Sequence, residues 1–443
     1  MKGIRGRFGQ MKMLKAELDA TVNLAEITRF SKDNFFKALT RNQVITIMPV
    51  MGPQEIKVDP VNQIVELADT HIQYSTKEEI YEYLAEHVLI KKHYVLQTIP
   101  VPKHSVLHVH RFTLHRISPS SNWKVVHHTM SGDYGFGKTL KSIPIWKAFK
   151  LVVHAANVLG NFYSSCNTTV IEVMQNKMGE LWITDSVLHE KNSKWSQYHS
   201  LYSSRVLRSY IPRTELCTKE TMKKLLNSFQ QVVLKPCIGQ QGKGIIKITV
   251  LDDNTFEIHE KRTKIVKNSF SDLFSYIHEQ YLNGNDYIVQ QFININKIDG
   301  RFFDVRVMSQ LHEDEWIITG KLVKVAAREY FISNRASRLL TLEEAFNEID
   351  SHIYIDKCVF LIDKICKDAS MILMKNYNGI TIIGFDIAID RYGAIWIIEG
   401  NYVPSTSMFY KFAGNKMYET INKYIVLNKK RKLLLSDREE EKN

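Results

Sequence analysis

An internal repeat constrains the fold of this chain more than any other feature of its sequence. Segments 28–49 and 214–236 both run from a threonine through an amphipathic helix pattern into a β-branched strand that ends in proline. They read TRFSKDNFFKALTRNQVITIMP and TELCTKETMKKLLNSFQQVVLKP. Repetition on this scale decides how many domains a chain has. The sequence therefore predicts two domains built on one plan.

Two further blocks occur in the same order in both halves. Residues 94–97 (YVLQ) match 287–290 (YIVQ), and Trp123 and Trp316 are separated by the same spacing. Residues 170–185, VIEVMQNKMGELWITD, match GFDIAIDRYGAIWIIE through a shared Gly and Trp. Chance similarity of amphipathic segments is the alternative, and three blocks in one order argue against it.

The two halves predict an α+β fold in two tandem copies. We expect a first domain at 1–190, a second at 191–428 and a charged tail at 429–443, where KKRK is followed by DREEE. Such a tail is typical of a solvated, frayed chain end. The longest helix patterns, 141–168 and 341–376, have apolar residues at three- and four-residue spacing, so we expect them to pack in the core.

Composition narrows the class of protein. The chain of 443 residues is 44% hydrophobic and 24% charged, as in globular domains. No stretch approaches the roughly 18 apolar residues of a membrane span, and the basic N-terminus lacks the apolar core of a secretory signal. Five scattered cysteines without metal-ligand spacing predict reduced thiols. We therefore expect a cytoplasmic protein without a membrane segment.

The net charge of +12 fits nucleic acid, an anionic surface or a polyanionic ligand. The basic residues are spread along the chain, and no cluster of aromatic and basic residues stands out. Nucleic-acid binding is therefore the weakest of the three interpretations.

Residues 232–250, VVLKPCIGQQGKGIIKITV, predict two strands joined by a glycine-bearing turn. Glycines let backbone N–H groups approach a polyphosphate, and Lys235 and Lys243 add positive charge. An ordinary exposed hairpin with a loose lysine explains the same pattern. No Lys-Ser/Thr pair follows Gly244, so this is not a Walker A loop.

Three polar residues near the end of the second copy predict a metal site. In GFDIAIDRYGAIWIIEGN, Asp386 and Glu399 lie on strands joined by a tight turn. Asn401 shares a face with Glu399 because strand side chains alternate. Two carboxylates and an amide oxygen suit a Mg²⁺ ion that bridges phosphate groups. Turn chemistry explains Asp390 but leaves Asp386 unexplained.

Charged residues also share one face of the strand FFDVRVMSQ. Asp304 and Arg306 point to the same side between apolar neighbours. Arg306 suits a transferring phosphoryl group, with a surface Asp–Arg pair as the alternative. Lys324 adds a second cation, and residues 287–292 (YIVQQF) are apolar enough to face an adenine ring.

The first copy lacks most of these charged residues. The aligned pairs, first copy before second, are Met48 and Lys235, Arg111 and Asp304, Thr113 and Arg306, and Val187 and Asn401. The glycine loop shrinks to MGPQ at 51–54, while Glu172 and Asp185 remain where the second copy has Asp386 and Glu399. This pattern predicts a degenerate copy in which the two acids are a remnant.

The ordered motifs resemble those of the ATP-grasp enzymes, and within them the YheC/YheD group of spore-associated proteins. The motifs are KPCIGQQGKGI, YIVQQF, FDVRV, W-x-x-x-G and GFDIAID…WIIEGN, preceded by KWSQYHSL…YIPRT at 194–214. The resemblance covers roughly 194–412. It implies the ATP-grasp fold, in which two α+β subdomains hold ATP between them, with ATP and Mg²⁺ as cofactors.

The resemblance also implies a role for each matched residue. The nucleotide-binding set is Lys194 and Lys235 at the phosphates, Gly239, Gln241, Gly242, Lys243 and Gly244 in the closing loop, Gln290, Gln291 and Phe292 at the adenine hinge, and Asp304 at the ribose. The catalytic pair is Arg306 and Lys324 at the γ-phosphate, and the metal ligands are Asp386, Glu399 and Asn401.

The implied reaction is ligation of a carboxylate to an amine or a thiol through an acyl phosphate. The alternative is a non-catalytic, spore-associated interaction protein with spore-coat partners. Two features depart from the family pattern: the hinge has glutamines where relatives often have an acid, and residues 333–337 (SNRAS) lack the paired glycines expected after the Asn. The second departure lies on the side where a substrate would bind.

Overall fold

The computed structural model describes residues 6–440 with some gaps. The gaps are 20, 42–44, 51–55, 60–62, 68–69, 88, 90–92, 99–105, 119, 132–144, 177, 191, 240–241, 283–284, 332–335, 350–354, 377–378 and 413–415. Gln241, the segment 51–54 and residues 333–335 of the sequence motifs therefore lie outside the described residues.

Helices and strands alternate along the chain in an α+β arrangement. The helices are α1 (Arg7–Glu17), α2 (Lys32–Leu39), α3 (Lys77–His87), α4 (Trp146–Phe162), α5 (Lys194–Tyr202), α6 (Lys219–Phe229), α7 (Phe270–Ile277), α8 (Leu342–Asn347), α9 (Ile355–Asn376), α10 (Ser407–Lys411) and α11 (Lys416–Glu440). The strands of the first half are β1 (Asn23–Leu24), β2 (Glu26–Arg29), β3 (Ile45–Pro49), β4 (Ile56–Asp59), β5 (Ile64–Leu67), β6 (Thr70–Gln73), β7 (Tyr94–Thr98), β8 (Val106–His115), β9 (Lys124–Ser131), β10 (Cys166–Asn176) and β11 (Leu181–Glu190). Those of the second half are β12 (Thr214–Leu216), β13 (Gln231–Pro236), β14 (Ile246–Val250), β15 (Phe256–Glu260), β16 (Thr263–Lys267), β17 (Tyr287–Gln291), β18 (Lys297–Ile298), β19 (Arg301–His312), β20 (Glu315–Ala326), β21 (Ala336–Leu340), β22 (Ile382–Ile389) and β23 (Ile395–Asn401).

The chain divides into two compact units. The first unit comprises 1–191 with 269–286, and the second comprises 192–268 with 287–443. The division lies close to the expected boundary at 190, although 269–286 groups with the first unit. Helix α11 continues into the predicted charged tail as far as Glu440. Its Lys, Arg, Leu and Glu residues are good helix formers.

In the first unit, each of two sheets is covered by helices on one face. One sheet has the strand order β2-β7-β3-β4-β5-β6, and its core includes Phe35, Ile47 and Leu84. The other has the order β1-β11-β10-β8-β9 and packs on α1 and α4. Buried residues of α4 follow helical spacing, as at Val152 and Leu159, so this helix core was correctly predicted, although it begins at Trp146.

The second unit repeats this arrangement. One sheet has the order β12-β17-β13-β14-β15-β16, and the other has the order β21-β20-β19-β22-β23 with β18 paired to β19. Helix α9 packs on the second of these sheets around Phe385, Ile362 and Leu373. The predicted helix at 341–376 is instead two helices, α8 and α9. A separate hydrophobic core, which includes Met308 and Phe409, packs α10 and α11 against the same sheet.

The predicted hairpin at 232–250 is confirmed. Strands β13 and β14 pair antiparallel, with Leu234 opposite Ile246. Gly242 and Gly244 have φ values of 69° and 71°, a left-handed conformation that glycine adopts without steric cost. A β-carbon on Gly244 would also lie 2.7 Å from the hydroxyl of Tyr287. The turn therefore requires glycine at this position.

Two expectations about the chain as a whole can be compared with the structure. All five cysteines are described and buried, and none forms a disulfide, which fits the expected reduced thiols. Among the described helices, none combines the length and the apolar character needed to cross a membrane.

Candidate functional site

One pocket of the second unit gathers residues from α5, β13, β17 and β23. Its polar lining residues are Lys194, Gln197, Lys235, Gln290 and Glu399, and its apolar lining includes Tyr198, Leu201, Ile211, Ile288 and Ile397. Four of the polar residues come from the sequence-predicted site. A pocket with an apolar wall and a few convergent charges is typical of a small-molecule site.

Lys235 lies at the centre of a buried polar network in this pocket. Its ammonium donates to the side-chain oxygen of Gln290 at 2.7 Å, and Gln290 donates in turn to the hydroxyl of Thr214 at 2.8 Å. Burial lowers the pKa of Lys235 to about 8, the carboxylate of Glu399 opposes that shift, and the nearby charge of Lys194 adds to it. A buried cation in this state gains stability from any anion that enters the pocket.

The glycine loop follows Lys235 directly. Gly239 lies against the ring of Pro236, where a β-carbon would be 2.9 Å from the proline Cγ. The Gly239 carbonyl accepts a hydrogen bond from the ammonium of Lys194 at 3.1 Å. Lys243 is exposed at the turn. The loop therefore has close backbone packing on one side and an exposed cation on the other.

Asp386 is held by two cations in the middle of the second sheet. Arg306 lies opposite it on β19 and donates from Nε and Nη2 to the two carboxylate oxygens, both at 3.0 Å. Lys324 donates to Asp386 at 2.8 Å and also pairs with Asp304 at 2.9 Å. Burial opposes the charge of Asp386, yet Lys324 and Arg306 hold its pKa well below the usual range.

The expected pairing of Asp386 and Glu399 is confirmed, because the two residues are opposite each other on β22 and β23. Glu399 contacts Lys194 at 3.4 Å, and its side chain is 25% exposed. Asn401 follows on the same strand, with its amide nitrogen 3.4 Å from a carboxylate oxygen of Asp386. Asn401 and Asp386 are therefore in contact, and Glu399 lies opposite Asp386 on the paired strand.

The residues expected to form the adenine hinge lie at the end of strand β17. The backbone of Gln291 donates to the carbonyl of Arg213, and its side chain accepts from the Arg213 N–H at 3.4 Å. Phe292 lies under the ammonium of Lys247, 3.9 Å from its ring centroid. The backbone N–H of Phe292 donates to the carbonyl of Gln231, the first residue of β13, so the hinge is hydrogen-bonded to the start of that strand.

Charge balance at this site favours an anionic ligand. Three carboxylates, those of Asp304, Asp386 and Glu399, lie beside four cations, those of Lys194, Lys235, Arg306 and Lys324. Such an excess of positive charge around a partly dry pocket attracts polyanions. The donor set also fits Mg²⁺, since two carboxylates and one amide are hard oxygen ligands that leave positions for phosphate oxygens. In the described ranges, no group of three or more His, Cys, Asp and Glu side chains has metal-binding geometry.

A family model described as YheC/D-like ATP-grasp matches residues 187–428, more than half of the chain. The chain belongs to the YheC/D-like ATP-grasp family. The second unit therefore has the ATP-grasp fold, and its two sheets correspond to the two α+β subdomains that the sequence resemblance implied.

Two relatives of this ATP-grasp chain come from Bacillus subtilis (strain 168). The endospore coat-associated protein YheD is 26% identical over 225 residues, which cover 49% of this chain and 49% of YheD. The endospore coat-associated protein YheC is 28% identical over 221 residues, which cover 48% of this chain and 59% of YheC. The matched region thus spans about half to three fifths of each relative.

Among solved structures, the D-alanine-D-alanine ligase from Coxiella burnetii is similar at 10% identity and a TM-score of 0.33. The alignment covers 56% of this chain and 61% of the ligase. A score this low has no bearing on the function of the ATP-grasp chain.

The first unit corrects one alignment made from sequence. Arg111 of β8 lies opposite Glu172 of β10, as Arg306 of β19 lies opposite Asp386 of β22. By register, Arg111 therefore corresponds to Arg306, whereas the sequence alignment paired Arg111 with Asp304. The tryptophans that set that alignment follow a connection that is longer in the first unit, which shifts the strands before it.

Several residues around these sites were missed from the sequence. Gln197 and Thr214 contact the second-unit site. In the first unit, Arg7 contacts Asp185 and Gln10 contacts the neighbouring Ser186. The signal was present but weak: RFGQMKML at the start of α1 parallels KWSQYHSL at the start of α5, with only the Gln and the final Leu identical. Eight residues with two identities do not stand out without the contacts that they share.

Proposed function

We propose that the second unit binds ATP together with Mg²⁺. The observation that carries this proposal is the single pocket in which Lys194, Lys235, Gln290 and Glu399 meet against an apolar wall. The apolar wall would accept adenine, and the lysines would contact the phosphates. The anionic chain of ATP would use the surplus positive charge of the pocket.

Each polar residue has a distinct role in this proposal. Asp386, Glu399 and Asn401 would hold Mg²⁺, which supplies charge neutralisation between phosphate oxygens when bound. Arg306 and Lys324 would stabilise charge on the γ-phosphoryl group and exchange their contacts with Asp386 for contacts with phosphate. Their present pairing keeps the cations oriented before ligand arrives, which lowers the cost of ordering them.

The reaction that this arrangement supports best is carboxylate ligation. A substrate carboxylate oxygen attacks the γ-phosphorus, the bond to the β-phosphate oxygen breaks, and ADP leaves. An amine or thiol then attacks the acyl carbon, the bond to phosphate breaks, and inorganic phosphate leaves with loss of the nucleophile's proton. The protein contributes position and charge stabilisation and no covalent nucleophile.

A second candidate is a non-catalytic protein that associates with the spore coat. The observation that favours it is that both Bacillus relatives are named as endospore coat-associated. Such a protein would keep the fold for interaction, with or without bound nucleotide.

We further propose that the two units are tandem copies and that the first binds no nucleotide. Both units follow the same order of strands in both sheets, apart from β1, β18 and β21. Met48 of β3 lies opposite Val95, as Lys235 of β13 lies opposite Ile288. The central cation of the pocket is therefore replaced by an uncharged side chain in the first unit.

Thermal unfolding with ATP and Mg²⁺ tests binding, and release of ADP and phosphate tests ligation. We expect ATP with Mg²⁺ to raise the melting temperature of the full chain. A screen of carboxylate and amine pairs should then produce ADP and phosphate only when both are present. Stabilisation without ADP release from any pair would favour the spore-coat candidate, and the absence of stabilisation would contradict nucleotide binding.

A further inference from the structure

The side-chain amide of Gln197 of α5 is hydrogen-bonded to both backbone groups, the N–H and the carbonyl, of one residue of β23. Its amide nitrogen donates to the carbonyl of Gly400, and its amide oxygen accepts from the N–H of Gly400, both at 2.7 Å. The residue is buried. Because β23 is the edge strand of its sheet, Gln197 acts as one rung of a neighbouring strand would.

Gly400 lies between two of the proposed metal ligands, Glu399 and Asn401. On the side away from Gln197 there is little space: a β-carbon on Gly400 would lie 3.1 Å from the ring of Phe385 and 3.3 Å from Leu373. Core packing at the α-carbon and the two hydrogen bonds from Gln197 together fix the backbone of Gly400. The orientation of the flanking side chains follows from the orientation of their backbone.

The start of α5 also contacts the glycine loop. The backbone N–H of Lys194 donates to the carbonyl of Cys237 at 2.9 Å, and its ammonium donates to Gly239. Helix α5 thus holds the loop after β13 and the metal-ligand end of β23 at once. A short, buried connection of this kind sets the spacing between the two parts of the site.

We infer that Gln197 is a positioning residue for the metal ligands Glu399 and Asn401. It acts through both backbone groups of Gly400, the residue between these two ligands. This inference rests on the proposed function, in which these residues hold Mg²⁺. Groups that orient metal ligands from behind influence metal affinity by about 10- to 100-fold.

The first unit supplies a matched control. Gln10 occupies the same place on α1, three residues after Arg7 as Gln197 is three residues after Lys194. Its oxygen accepts a hydrogen bond from the hydroxyl of Ser186, beside Asp185, at 2.9 Å. Gln10 therefore tests what the loss of an equivalent buried amide does to the chain away from the proposed metal site.

Mn²⁺ binding to the full chain tests the inference without an activity assay. Gln197→Met keeps the volume of the side chain and removes both hydrogen bonds. We expect Mn²⁺ affinity, followed by water proton relaxation with ATP present, to fall about tenfold. Gln197 also lines the pocket, so binding of ADP in the presence of EDTA is measured alongside and should fall by a smaller factor than the Mn²⁺ affinity. Gln10→Met should change neither quantity.

Two results would overturn the inference: unchanged Mn²⁺ affinity in Gln197→Met, or equal losses of Mn²⁺ and of metal-free ADP, which would mark a general structural role. Gln197→Asn, which keeps the amide on a shorter side chain, serves if Gln197→Met fails to fold, and the same tenfold loss is expected. A wild-type chain that binds Mn²⁺ but no nucleotide would contradict the proposed function. The inference would then be tested by the tenfold loss of Mn²⁺ affinity in Gln197→Met, measured without ATP. A wild-type chain that binds neither would overturn both.

Discussion

At matching positions of their sheets, the two units each hold an acid opposite an arginine: Glu172 opposite Arg111 in the first, and Asp386 opposite Arg306 in the second. The surroundings differ. Glu172 receives hydrogen bonds from Arg111 and from the hydroxyl of Thr184, whereas the second acid is shared between two cations. Both pKa values lie below their usual range despite burial. The hydroxyl of Thr184 thus bonds the first acid where Lys324 bonds the second, although the charge of Lys57 also helps to lower the pKa of Glu172.

The neighbouring acids differ more. Asp185 in the first unit is bonded by Arg7, whose Nε lies 2.9 Å from both carboxylate oxygens, and Arg7 also donates to the carbonyl of Pro49. Glu399 in the second unit contacts Lys194 at the longer distance of 3.4 Å, at a partly exposed position, and its charge also acts on Lys235. In the first unit, the guanidinium of Arg7 occupies the position beside Asp185. In the second unit, the carboxylate of Glu399 stays partly exposed. In the proposed degenerate copy, the loss of the ligand site therefore combines a cation bonded to the acid with the replacement of a lysine by Met48.

The largest expected difference between the units comes from Lys235. Lys235→Met copies the residue of the first unit into the second, and it removes the buried cation that would meet the phosphates. We expect ATP affinity to fall by about 2–5 kcal/mol, the usual consequence of removing a buried charged partner. Isothermal titration calorimetry with Mg²⁺ and ATP measures the change.

The control for this prediction is Met48→Ala in the first unit, which should leave ATP affinity unchanged. If both substitutions weakened ATP binding to a similar extent, the first unit would also bind nucleotide and the contrast between the units would be wrong.

Arg7 should matter for stability rather than for binding. Arg7→Met leaves Asp185 buried without its main partner, and burial already raises the pKa of this acid against the influence of Arg7. We expect a loss of about 2–3 kcal/mol in the free energy of unfolding of the first unit. Hydrogen exchange of peptides from β10 and β11 reports the opening of this unit.

Lys194→Met, measured without nucleotide, is the counterpart in the second unit. The Lys194–Glu399 contact is long and partly exposed, so its loss should cost less than about 1 kcal/mol. A larger loss in the second unit than in the first would reverse the comparison.

A smaller effect is expected at the metal ligands. Glu399→Gln keeps the shape of the side chain and removes one charge from the proposed Mg²⁺ site. We expect the Mg²⁺ concentration for half-maximal stabilisation by ATP to rise about tenfold, or about 1.4 kcal/mol. Asp185→Asn is the matched change in the first unit and should not alter the Mg²⁺ dependence. A Mg²⁺ dependence that shifts equally in both variants would show that this pair of positions does not distinguish the units.

Strand pairing around the second-unit site was predictable from local pattern. The hairpin after Lys235 follows from β-branched runs separated by glycines, and the pairing of Asp386 with Glu399 follows from a tight turn between two apolar strands. The sequence predicted Lys324 only as an additional cation of the site. Its position opposite Asp304 depends on the pairing of β19 with β20, which includes an irregularity after Met308. A single-residue shift of that kind is not visible in side-chain alternation.

Contacts between elements far apart in sequence were not predictable in the same way. The hydrogen bonds between Gln197 and Gly400 join a helix to a strand. The two residues are 203 positions apart, nearly half of the chain. No periodicity reports such a contact, because either residue fits its own element equally well without it. The equivalence of Arg7 and Lys194 was hidden for the same reason, since it rests on shared contacts more than on shared residues.

The smallest expected difference between the two units is in their stability at acidic pH. Burial lowers the pKa of His115 in the first unit to about 4, and the pKa values of His110, His128 and His189 are also lowered, in each case chiefly by burial. These groups are neutral in the folded unit and take up protons on unfolding below their ordinary pKa. Their stabilising contribution is therefore complete above about pH 6.5 and is lost as the pH falls towards the lowered values.

The lowered pKa of Asp386 in the second unit has its effect at lower pH, below the ordinary value of an aspartate. Between pH 7 and 5.5 we therefore expect the first unit to lose stability before the second, with His115 alone contributing about 1 kcal/mol. Hydrogen exchange at the two pH values, read separately for β8–β11 and for β19–β23, measures this order. His115→Asn should flatten the pH dependence of the first unit. If the second unit opened first on acidification, its paired acids would govern the response in place of the buried histidines.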